Sequence, residues 1–488
     1  MKEIADKLTL LHTNDIHSHF EEAAQIAAFV KDVRRRVPED GLLLLDCGDH
    51  LDRVRLETEG THAAVNRALL EQLRYDAVTL GNNEGLTCTR SQLDSLYRNA
   101  SFPVICANMR EAATGDYPSW LSPSLTLRRA GMTIAILGVT APYHEYYDLL
   151  GWQASDPFET AAAWVAEKRG EADALIVLSH LGLRQDERLA VAAPGIDLIL
   201  GAHTHHLLET PLRVGDTTIC AAGKFGRHVG IVEIERDRRS GRLRIDGRCV
   251  AMADRPADPE ALAIVERCGE QARAAMNGVV ATLARPLTAE TEQESPLGTL
   301  LAIALRRKAD AEIGLTNAGQ LLDGLEAGPV TQARIHAICP SPINPCLILL
   351  RGEQLRRAIE ESLLPEFTSL EFRGYGFRGR VLGRLCLDGA EVEYDEDKPA
   401  YERIVRVMVN GEPLDDERIY RVGTLDMFTF GVGHLSLKEG RAERYFLPEF
   451  IRDLLAEALN DTRAIADCAR QRWHTAPSSD GPDPGKRE

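Results

Sequence analysis

The first 200 residues or so of this chain repeat one arrangement: a short apolar run ends in a cluster of Asp, Asn or His, and a stretch with helical spacing follows. Runs of this length, bounded by Gly or Asp, are typical of strands that are buried on both faces. The intervening segments, such as 22–37 and 61–74, carry apolar residues at helical spacing. The pattern predicts a layered α/β domain. The runs lie at 8–12, 42–46, 77–80, 133–139, 174–178 and 197–200.

Residues of the types that bind metals follow most of these runs. In open α/β sheets, ligands bind at the carboxyl ends of the strands, so we expect these clusters to converge. Carboxylates can bridge two cations, and imidazoles suit zinc, iron or manganese. A single ion does not need so many ligands, so the pattern predicts two divalent ions, which together provide a nucleophile at neutral pH. The predicted ligands are Asp15, His17, Asp49, Asn82, His180, His203 and His205.

The domain organisation is also indicated by the sequence. Residues 231–252 alternate apolar with polar side chains around a turn, which predicts a hairpin that closes the first domain. Asp258 and the Pro after it are typical of a helix start. We therefore predict a metal-binding domain at 6–255, a helical linker at 256–280, a second domain at 281–470 and a disordered tail at 471–488, which is rich in Pro, Gly and Ser.

Charge and hydropathy narrow the function. The chain has 57 Lys and Arg against 74 Asp and Glu, a net charge of −17, which argues against nucleic acid as a partner. A small phosphorylated substrate remains compatible, because a metal pair creates a local positive charge. No stretch reaches the roughly 18 apolar residues that span a bilayer, and the N-terminus does not resemble a signal peptide. We expect a cytoplasmic protein without a membrane partner; its oligomeric state is open.

Taken together, the motifs resemble those of the calcineurin-like metallophosphatase superfamily. They are D-x-H, GDxxD, GN[HN]E, a single His and a pair similar to GHxH, and TNDIHSH is similar to the 5′-nucleotidase branch. Residues 317–319, 342–344 and 424–428 resemble the second domain of that branch. The resemblance covers about residues 6 to 465. It implies an α/β fold with an N-terminal four-layer α-β-β-α sandwich and a C-terminal α+β domain for substrate recognition.

The resemblance also implies roles for the ligands. Asp15, His17, Asp49 and His205 would hold the first ion, and Asp49, Asn82, His180 and His203 the second, with Asp49 as the bridge. The cations could be Mn, Zn, Fe, Co or Mg. The implied activity is hydrolysis of a phosphate ester or anhydride of a nucleotide or nucleotide derivative by a metal-bridging hydroxide. Relevant types are 5′-nucleotidase, 2′,3′-cyclic phosphodiesterase and nucleotide-sugar pyrophosphatase.

One departure concerns the proton donor. The family has Gly-Asn-His-Glu where this chain has Gly-Asn-Asn-Glu at 81–84. Asn83 can hydrogen-bond a phosphate oxygen but cannot act as a general acid, a function worth about 10²–10⁴-fold in rate. Leu86 occupies the place of the Asp that orients the family's His. A substrate with a good leaving group would depend less on this proton.

The loop at 48–53 offers a replacement, because GDHLDR resembles the GDxxDR segment of the protein Ser/Thr phosphatases. In those enzymes the Asp, here Asp52, orients a catalytic His, and the Arg, here Arg53, binds phosphate. Arg can bind two phosphate oxygens at once. We hypothesise that Arg53 binds phosphate and that His50 supplies the missing proton. The alternative is that His50 is a loop residue without a catalytic role.

The second domain departs from the family as well. Asn317 matches the family's substrate-binding motif, but the Arg that follows in the family is absent. Phe377 and Phe428 are candidates for stacking on a nucleobase, or else belong to the core. The family's Gly-Gly-Asp-Gly is replaced at 431–434. Two alternative functions stay open: a regulatory protein that binds metal and nucleotide with weakened catalysis, and a dimetal hydrolase of a non-nucleotide substrate.

Overall fold

The computed structural model describes residues 5–372 and 374–476, and the chain divides into two compact units between Ala275 and Met276. The first unit is built from strands and helices that alternate along the chain. Its strands are β1 Ala5–Thr13, β2 Leu42–Asp46, β3 Ala77–Val78, β4 Val104–Ile105, β5 Met109–Glu111, β6 Leu121–Ser122, β7 Ser124–Arg129, β8 Met132–Thr140, β9 Trp152–Ala154, β10 Ala174–His180, β11 Leu198–Gly201, β12 Leu212–Val214, β13 Thr217–Cys220, β14 His228–Asp237 and β15 Leu243–Ala251. Its helices are α1 Phe20–Arg36, α2 Leu56–Gly60, α3 Ala64–Leu73, α4 Asn82–Thr87, α5 Arg90–Tyr97, α6 His144–Leu149, α7 Pro157–Lys168, α8 Leu183–Ala192 and α9 Pro259–Ala275.

Two large sheets form the centre of the first unit. One has seven strands in the order β15-β14-β1-β2-β3-β4-β6, and the other has six in the order β12-β13-β11-β10-β8-β7. Strands β1, β2 and β3 run parallel, as do β8, β10 and β11. Their carboxyl ends are level, since Thr13 pairs with Asp46 and Asp46 with Val78. The loops that carry the predicted ligands therefore leave each sheet at one edge.

The side chains of the central strands are buried on both faces. Leu10 and Leu43 belong to an apolar cluster shared with strands of the other sheet, such as β8 and β10. Their neighbours Leu11 and Leu44 point the other way, into a cluster with α1 and α3. Strands of the six-stranded sheet pack in the same way on α7 and α8. This alternation gives four layers, α-β-β-α, and confirms the predicted sandwich.

The helix predicted as a linker is present but belongs to the first unit. Helix α9 packs against α1, α2 and α3 of that unit. The helical linker predicted at 256–280 extends too far, because α9 ends at Ala275 and residues 279–283 form a strand. Asn277 and Gly278 favour a turn there, and the Val residues that follow favour a strand. The remaining domain boundaries stay predictions.

The second unit mixes strands and helices with less regular alternation. Its strands are β16 Val279–Leu283, β17 Ile313–Asn317, β18 Gly328–Thr331, β19 Pro345–Arg351, β20 Leu385–Asp388, β21 Ala390–Tyr394, β22 Ile404–Val409, β23 Glu412–Pro413, β24 Ile419–Leu425, β25 Arg441–Tyr445 and β26 Trp473–Thr475. Its helices are α10 Pro296–Lys308, α11 Gln332–Ile338, α12 Gly352–Glu361, α13 Pro365–Thr368, α14 Asp426–Thr429, α15 Ile451–Ala458 and α16 Thr462–Asp467. A five-stranded sheet, β20-β17-β24-β19-β25, lies against α10, which agrees with the α+β prediction.

The tail was predicted to start at residue 471, which is too early. Strand β26 pairs in parallel with β21, so residues 473–475 belong to the second unit's four-stranded sheet. Trp473 is buried and packs on Tyr394, which explains why a segment close to the tail is ordered. Residues 477–488 lie outside the described residues. Within the described part of the chain, no helix is both long and apolar enough to cross a bilayer. The cytoplasmic location stays a prediction.

Candidate metal centre

The seven predicted ligands come together at the carboxyl edges of the two sheets. Asp15 and His17 follow β1, Asp49 follows β2, and Asn82 begins α4 after β3. His180 ends β10, and His203 and His205 follow β11. Nitrogen and oxygen atoms of Asp15, His17 and His205 lie within 4.8 Å of one another, as do those of Asp15, Asp49 and His180. The two groups share Asp15, so the ligands form one continuous cluster.

The backbone at this cluster is unusual. Asp15, His17, Asp49, His203 and His205 all have positive φ angles, between 49° and 72°. Residues other than Gly rarely adopt this left-handed backbone conformation, which costs about 1–3 kcal/mol for each residue. Such strain persists where the surroundings hold it in place, and it clusters at functional sites. The left-handed conformation turns the chain sharply within each short loop and so directs the ligand side chains toward one another.

The ligands of the first predicted ion face one another closely. Nε2 of His17 lies 3.8 Å from Oδ1 of Asp15 and 3.7 Å from Oδ2 of Asp49. Nε2 of His205 lies 3.5 Å from the same Asp15 oxygen and 3.2 Å from Nε2 of His17. Imidazole and carboxylate donors that converge in this way suit a divalent transition-metal ion.

The ligands of the second predicted ion converge around Asn82. Its Oδ1 lies 3.2 Å from Nε2 of His180 and 2.8 Å from Nδ1 of His203. Nε2 of His180 also lies 3.4 Å from Oδ2 of Asp49. Asp49 is thus close to an imidazole of each predicted ion, which fits the bridging position expected from the sequence.

Neighbouring groups hold the ligands in place. Nδ1 of His180 lies 2.8 Å from the Cys47 carbonyl oxygen and donates its proton there, so Nε2 is the nitrogen that can bind a cation once it has lost its own proton. Asn14 donates to Oδ2 of Asp15 at 2.8 Å. These contacts favour the metal-binding form of each ligand.

Glu84 is a positioning residue outside the site residues predicted from the sequence. It is buried, and its carboxylate accepts hydrogen bonds from the backbone N–H groups of Asp49, Gly81 and Leu51 at 2.9, 2.9 and 3.1 Å. It therefore ties the loop after β2 to the start of α4. Its place three residues after Gly81 is the spacing of a capping box, a signal that could have revealed it.

The electrostatics of the cluster couple His180 to the carboxylates. Burial alone would lower the pKa of His180, but the charge of Asp49 and its hydrogen bond raise it to about 10. Burial would raise the pKa of Asp49, yet the charge of His180 holds it well below its usual range. Burial, together with the charge of His180, lowers the pKa of His203 to about 4. In the metal-free protein, His180 is therefore protonated at neutral pH and His203 is not.

We expect metal affinity to rise with pH, by about tenfold per pH unit between about pH 6.5 and 9. The raised pKa of His180 means that a cation must displace its proton at every pH below about 10, and this competition weakens as pH rises. Calorimetric titration with Mn²⁺ in buffers of different ionisation enthalpy measures the released proton. An affinity that stays constant over this range would contradict the assignment of His180 as a ligand.

The predicted catalytic residues have other contacts in this structure. Nδ2 of Asn83 lies 2.8 Å from Nδ1 of His17 and donates to the Leu51 carbonyl oxygen at 3.0 Å. Oδ2 of Asp52 lies 3.4 Å from the same His17 nitrogen. Asp52 is therefore placed to orient a metal ligand, whereas the resemblance to protein Ser/Thr phosphatases predicts that it orients a catalytic histidine. The phosphate contact of Asn83 stays a prediction.

His50 does not have the environment of a general acid. Its side chain is buried, with Nδ1 at 3.4 Å from Nδ2 of Asn66. Burial lowers the pKa of His50 to about 4, so the imidazole is uncharged at neutral pH. The proposed proton transfer stays a prediction that these contacts do not support.

Arg53 pairs with a carboxylate of its own segment. Its Nε and Nη2 donate to the two oxygens of Glu59 at 2.6 and 2.8 Å, and Nη1 donates to the Thr87 carbonyl oxygen at 2.6 Å. The same two N–H groups of Arg53 would be needed to bind two phosphate oxygens at once, and here they pair with Glu59. The phosphate role of Arg53 stays a prediction.

Replacing Arg53 by Ala is expected to lower the free energy of unfolding by about 1–3 kcal/mol, because it removes the guanidinium that forms a two-point ion pair with the partly buried Glu59 carboxylate. The double variant Arg53→Ala, Glu59→Ala should recover part of this loss. Chemical denaturation of the three proteins measures the effect. If Arg53→Ala instead raises KM and leaves stability unchanged, the phosphate role is correct.

The predicted substrate-binding residues of the second unit are buried. The amide of Asn317 donates to the Leu382 carbonyl oxygen at 2.6 Å and accepts from Gln320 at 2.9 Å. Phe377 and Phe428 belong to the unit's apolar core, where Phe377 stacks on Phe372 at 4.5 Å. Neither ring presents a face for a base in this structure. Their roles in substrate binding stay predictions.

A different aromatic pair is exposed on the second unit. Tyr375 is 58% exposed and Phe430 is 38% exposed. Their rings stack with centroids 5.7 Å apart and planes inclined by 30°. Neither residue is among the substrate-binding candidates predicted from the sequence. Each lies two residues from a phenylalanine that was predicted to stack on the base. Tertiary packing decides which side chain of such a pair points into the core and which points outward.

The four-layer unit and its cluster of Asp, Asn and His ligands define a calcineurin-like metallophosphoesterase. The family model for calcineurin-like phosphoesterases matches residues 8–207, and the model for the 5′-nucleotidase C-terminal domain matches residues 278–435. The chain belongs to the 5′-nucleotidase family of these enzymes, which confirms the family expected from the motifs. It is a metal-dependent hydrolase of phosphoester bonds.

Known relatives align over most of the chain. "Uncharacterized metallophosphoesterase YunD" of Bacillus subtilis (strain 168) is 39% identical over 456 residues, covering 92% of this chain and 98% of the relative. Human 5′-nucleotidase is 24% identical over 483 residues, covering 85% and 82%. The structure of Haemophilus influenzae NAD nucleotidase is similar with a TM-score of 0.67 at 16% identity, covering 97% of this chain and 98% of that one. The structural likeness extends over both units.

Proposed function

We propose that this chain hydrolyses a phosphate ester or anhydride of a nucleotide or nucleotide derivative, with two divalent cations at the ligand cluster. The supporting observation is the placement of Asp49, whose Oδ2 lies 3.4 Å from His180 and 3.7 Å from His17. A carboxylate between two sets of N and O ligands fits a pair of cations. The ligands would be Asp15, His17, Asp49, Asn82, His180, His203 and His205.

The cations, when bound, supply positive charge for the phosphoryl oxygens and a nucleophile at neutral pH. The chain's own residues hold them in position. Asp52 and Asn83 fix the ring of His17, and Glu84 fixes the backbone at Asp49 and Gly81. This preorganisation means that the protein pays little reorganisation free energy during the reaction.

The substrate class is narrowed by the absence of a histidine at position 83. The side-chain amide of Asn83 contacts His17 and the Leu51 carbonyl oxygen. An amide cannot donate a proton to a leaving group. Substrates that depend less on protonation of the leaving group, such as anhydrides and strained cyclic diesters, are therefore favoured over simple monoesters. Relatives that are named 5′-nucleotidase and NAD nucleotidase support a nucleotide or nucleotide derivative as the substrate.

Tyr375 and Phe430 offer a surface on which a base could stack. Replacing either by Ala is expected to raise KM for a nucleotide by about 5- to 150-fold, since stacking contributes about 1–3 kcal/mol per base. KM for ribose 5-phosphate, which has no base, should stay constant. Tyr401→Ala is a matched control, because Tyr401 is also exposed on the second unit. Equal KM values for all variants would show that this pair does not bind the base.

An activity screen tests the proposed function as a whole. Protein loaded with Mn²⁺ is assayed on nucleoside monophosphates, diphosphates, cyclic nucleotides and p-nitrophenyl phosphate, with Asp49→Asn as the blank. We expect release of phosphate or nucleotide from at least one nucleotide substrate. Activity restricted to p-nitrophenyl phosphate would favour a non-nucleotide substrate, an alternative supported by the burial of Phe377 and Phe428. Two bound metals without activity would favour a metal- and nucleotide-binding regulatory protein, an alternative supported by the residue at position 83.

A further inference from the structure

Tyr143 lies against one of the proposed ligands. It follows β8 in the segment Ala141-Pro142-Tyr143, just before α6. Its hydroxyl oxygen lies 3.1 Å from Nε2 of His203, and the two rings meet edge to face with centroids 6.1 Å apart. The other nitrogen of His203, Nδ1, lies 2.8 Å from Oδ1 of Asn82. The ring thus directs one nitrogen at the ligand cluster and the other at Tyr143.

Each nitrogen of His203 has an oxygen atom within hydrogen-bond distance, so the tautomer of the ring sets which nitrogen can bind a cation. A neutral imidazole binds metal through the nitrogen without a proton, and the other nitrogen must donate its proton to an acceptor. A phenolic oxygen is such an acceptor. With the proton on Nε2 and donated to Tyr143, Nδ1 keeps its lone pair on the side of Asn82.

The other proposed imidazole ligands show how specific this contact is. Nδ1 of His180 lies 2.8 Å from the Cys47 carbonyl oxygen, and Nδ1 of His17 lies 3.4 Å from the Asp52 carboxylate. His205 differs, because its Nδ1 lies 3.4 Å from the ammonium group of Lys224, which is not an acceptor. Both imidazole ligands of the second predicted ion therefore have an oxygen acceptor at the nitrogen that does not face the ion. For His180 it is the Cys47 carbonyl oxygen, and for His203 it is the Tyr143 hydroxyl oxygen.

The packing of α6 fixes the position of Tyr143. Tyr147, on this helix, is fully buried and lies directly on Gly85 of α4. A Cβ atom at Gly85 would come within 2.7 Å of Cε1 and Oη of Tyr147, so only glycine allows this approach. Because α4 begins at Asn82, the segment with Tyr143 and the helix that provides Asn82 are packed together.

We propose that Tyr143 is a positioning residue for the second metal ion. Its hydroxyl oxygen accepts the Nε2–H of His203 and keeps Nδ1 available for the cation. The inference rests on the proposed function, because it requires Asn82, His180 and His203 to be ligands. It adds a residue outside the seven predicted ligands, on a segment that the motifs do not include.

The test is a titration of metal-free, full-length protein with Mn²⁺, followed by calorimetry and by electron paramagnetic resonance of the coupled Mn²⁺ pair. Wild type is expected to bind two equivalents. Tyr143→Phe should bind one equivalent as tightly as wild type and the other about 10- to 100-fold more weakly, the usual effect of losing a group that orients a ligand. The coupled signal should be lost at metal concentrations that saturate wild type.

Two further variants separate this role from a general structural effect. Tyr117→Phe is the matched control, because the hydroxyl group of Tyr117 also forms a hydrogen bond, to the Ala107 carbonyl oxygen at 2.7 Å, away from the ligands. It should bind both equivalents normally. Gly85→Ala displaces Tyr147 and should weaken the same equivalent as Tyr143→Phe. Thermal unfolding of each metal-free variant verifies that it is folded.

The outcomes distinguish the inference from the function on which it rests. If wild type binds two equivalents and Tyr143→Phe binds both with wild-type affinity, the role of Tyr143 is wrong while the metal centre stands. If Tyr117→Phe weakens the same equivalent, the effect is not specific and the inference is also wrong. If wild type binds no metal, the proposed centre fails and the inference fails with it.

Discussion

Asp49→Asn should lower kcat/KM by at least about 10³-fold, since metal ions contribute several kcal/mol of transition-state stabilisation. The carboxylate lies between imidazoles of both predicted ions, at 3.4 Å from His180 and 3.7 Å from His17. Asn has the same shape, and its amide oxygen can still accept the N–H of Asn83, which Oδ1 of Asp49 accepts at 2.7 Å. Its other end is an NH₂ group, which cannot bind a cation.

The measurement combines steady-state kinetics with metal content by mass spectrometry. Asp116→Asn is the matched control, because Asp116 is an exposed carboxylate of the same unit and should give wild-type values. We expect Asp49→Asn to lose at least one metal equivalent. Activity within tenfold of wild type, with two metals bound, would contradict the bridging role of Asp49.

The second large effect is expected at Gly81, which precedes the ligand Asn82. A Cβ atom here would lie 2.1 Å from Oδ1 of Asp49, 2.4 Å from its backbone nitrogen and 2.7 Å from Cε1 of His180. None of these atoms can move away without displacing a ligand, since Glu84 holds both backbone segments. Gly81→Ala should therefore shift ligands by a sizeable fraction of an ångström and lower kcat/KM by about 10²-fold.

Stability should also fall, by about 1–3 kcal/mol, as is usual when a packed site is overfilled. Gly170→Ala is the control, because Gly170 lies in the same unit and a Cβ atom there meets nothing within 4 Å. Kinetics, metal content and chemical denaturation are measured for both variants. Wild-type activity in Gly81→Ala would show that the loops are free to adapt and that Glu84 does not fix them.

Much of the first unit could be predicted because strand ends are marked in the sequence. Apolar runs at 8–12 and 42–46 are strands β1 and β2, and the polar residues after them lie at the predicted edge. A short apolar run without polar alternation, bounded by Gly or Asp, is typical of a strand that is buried on both faces. The order of ligand clusters along the chain then follows from the order of the strands.

Helix ends and side-chain directions were harder to predict. The end of α9 at Ala275 depends on a turn and on the pairing of β16 with β18, a contact between segments about 50 residues apart. Phe377 and Tyr375 are two residues apart, yet one is in the core and the other is exposed. Local sequence does not distinguish them, because burial depends on which distant side chains pack there.

The sequence by itself determined the family, the layered fold and the kinds of ligand that meet at the sheet edges. This is because each apolar strand and the polar residues at its end are adjacent in the sequence. Only the tertiary structure decided what surrounds those ligands. It placed Asp52 beside His17, paired Arg53 with Glu59, and put Tyr143 on His203. These contacts join segments that are distant in the chain, so the packing of whole layers had to be known before they could be seen.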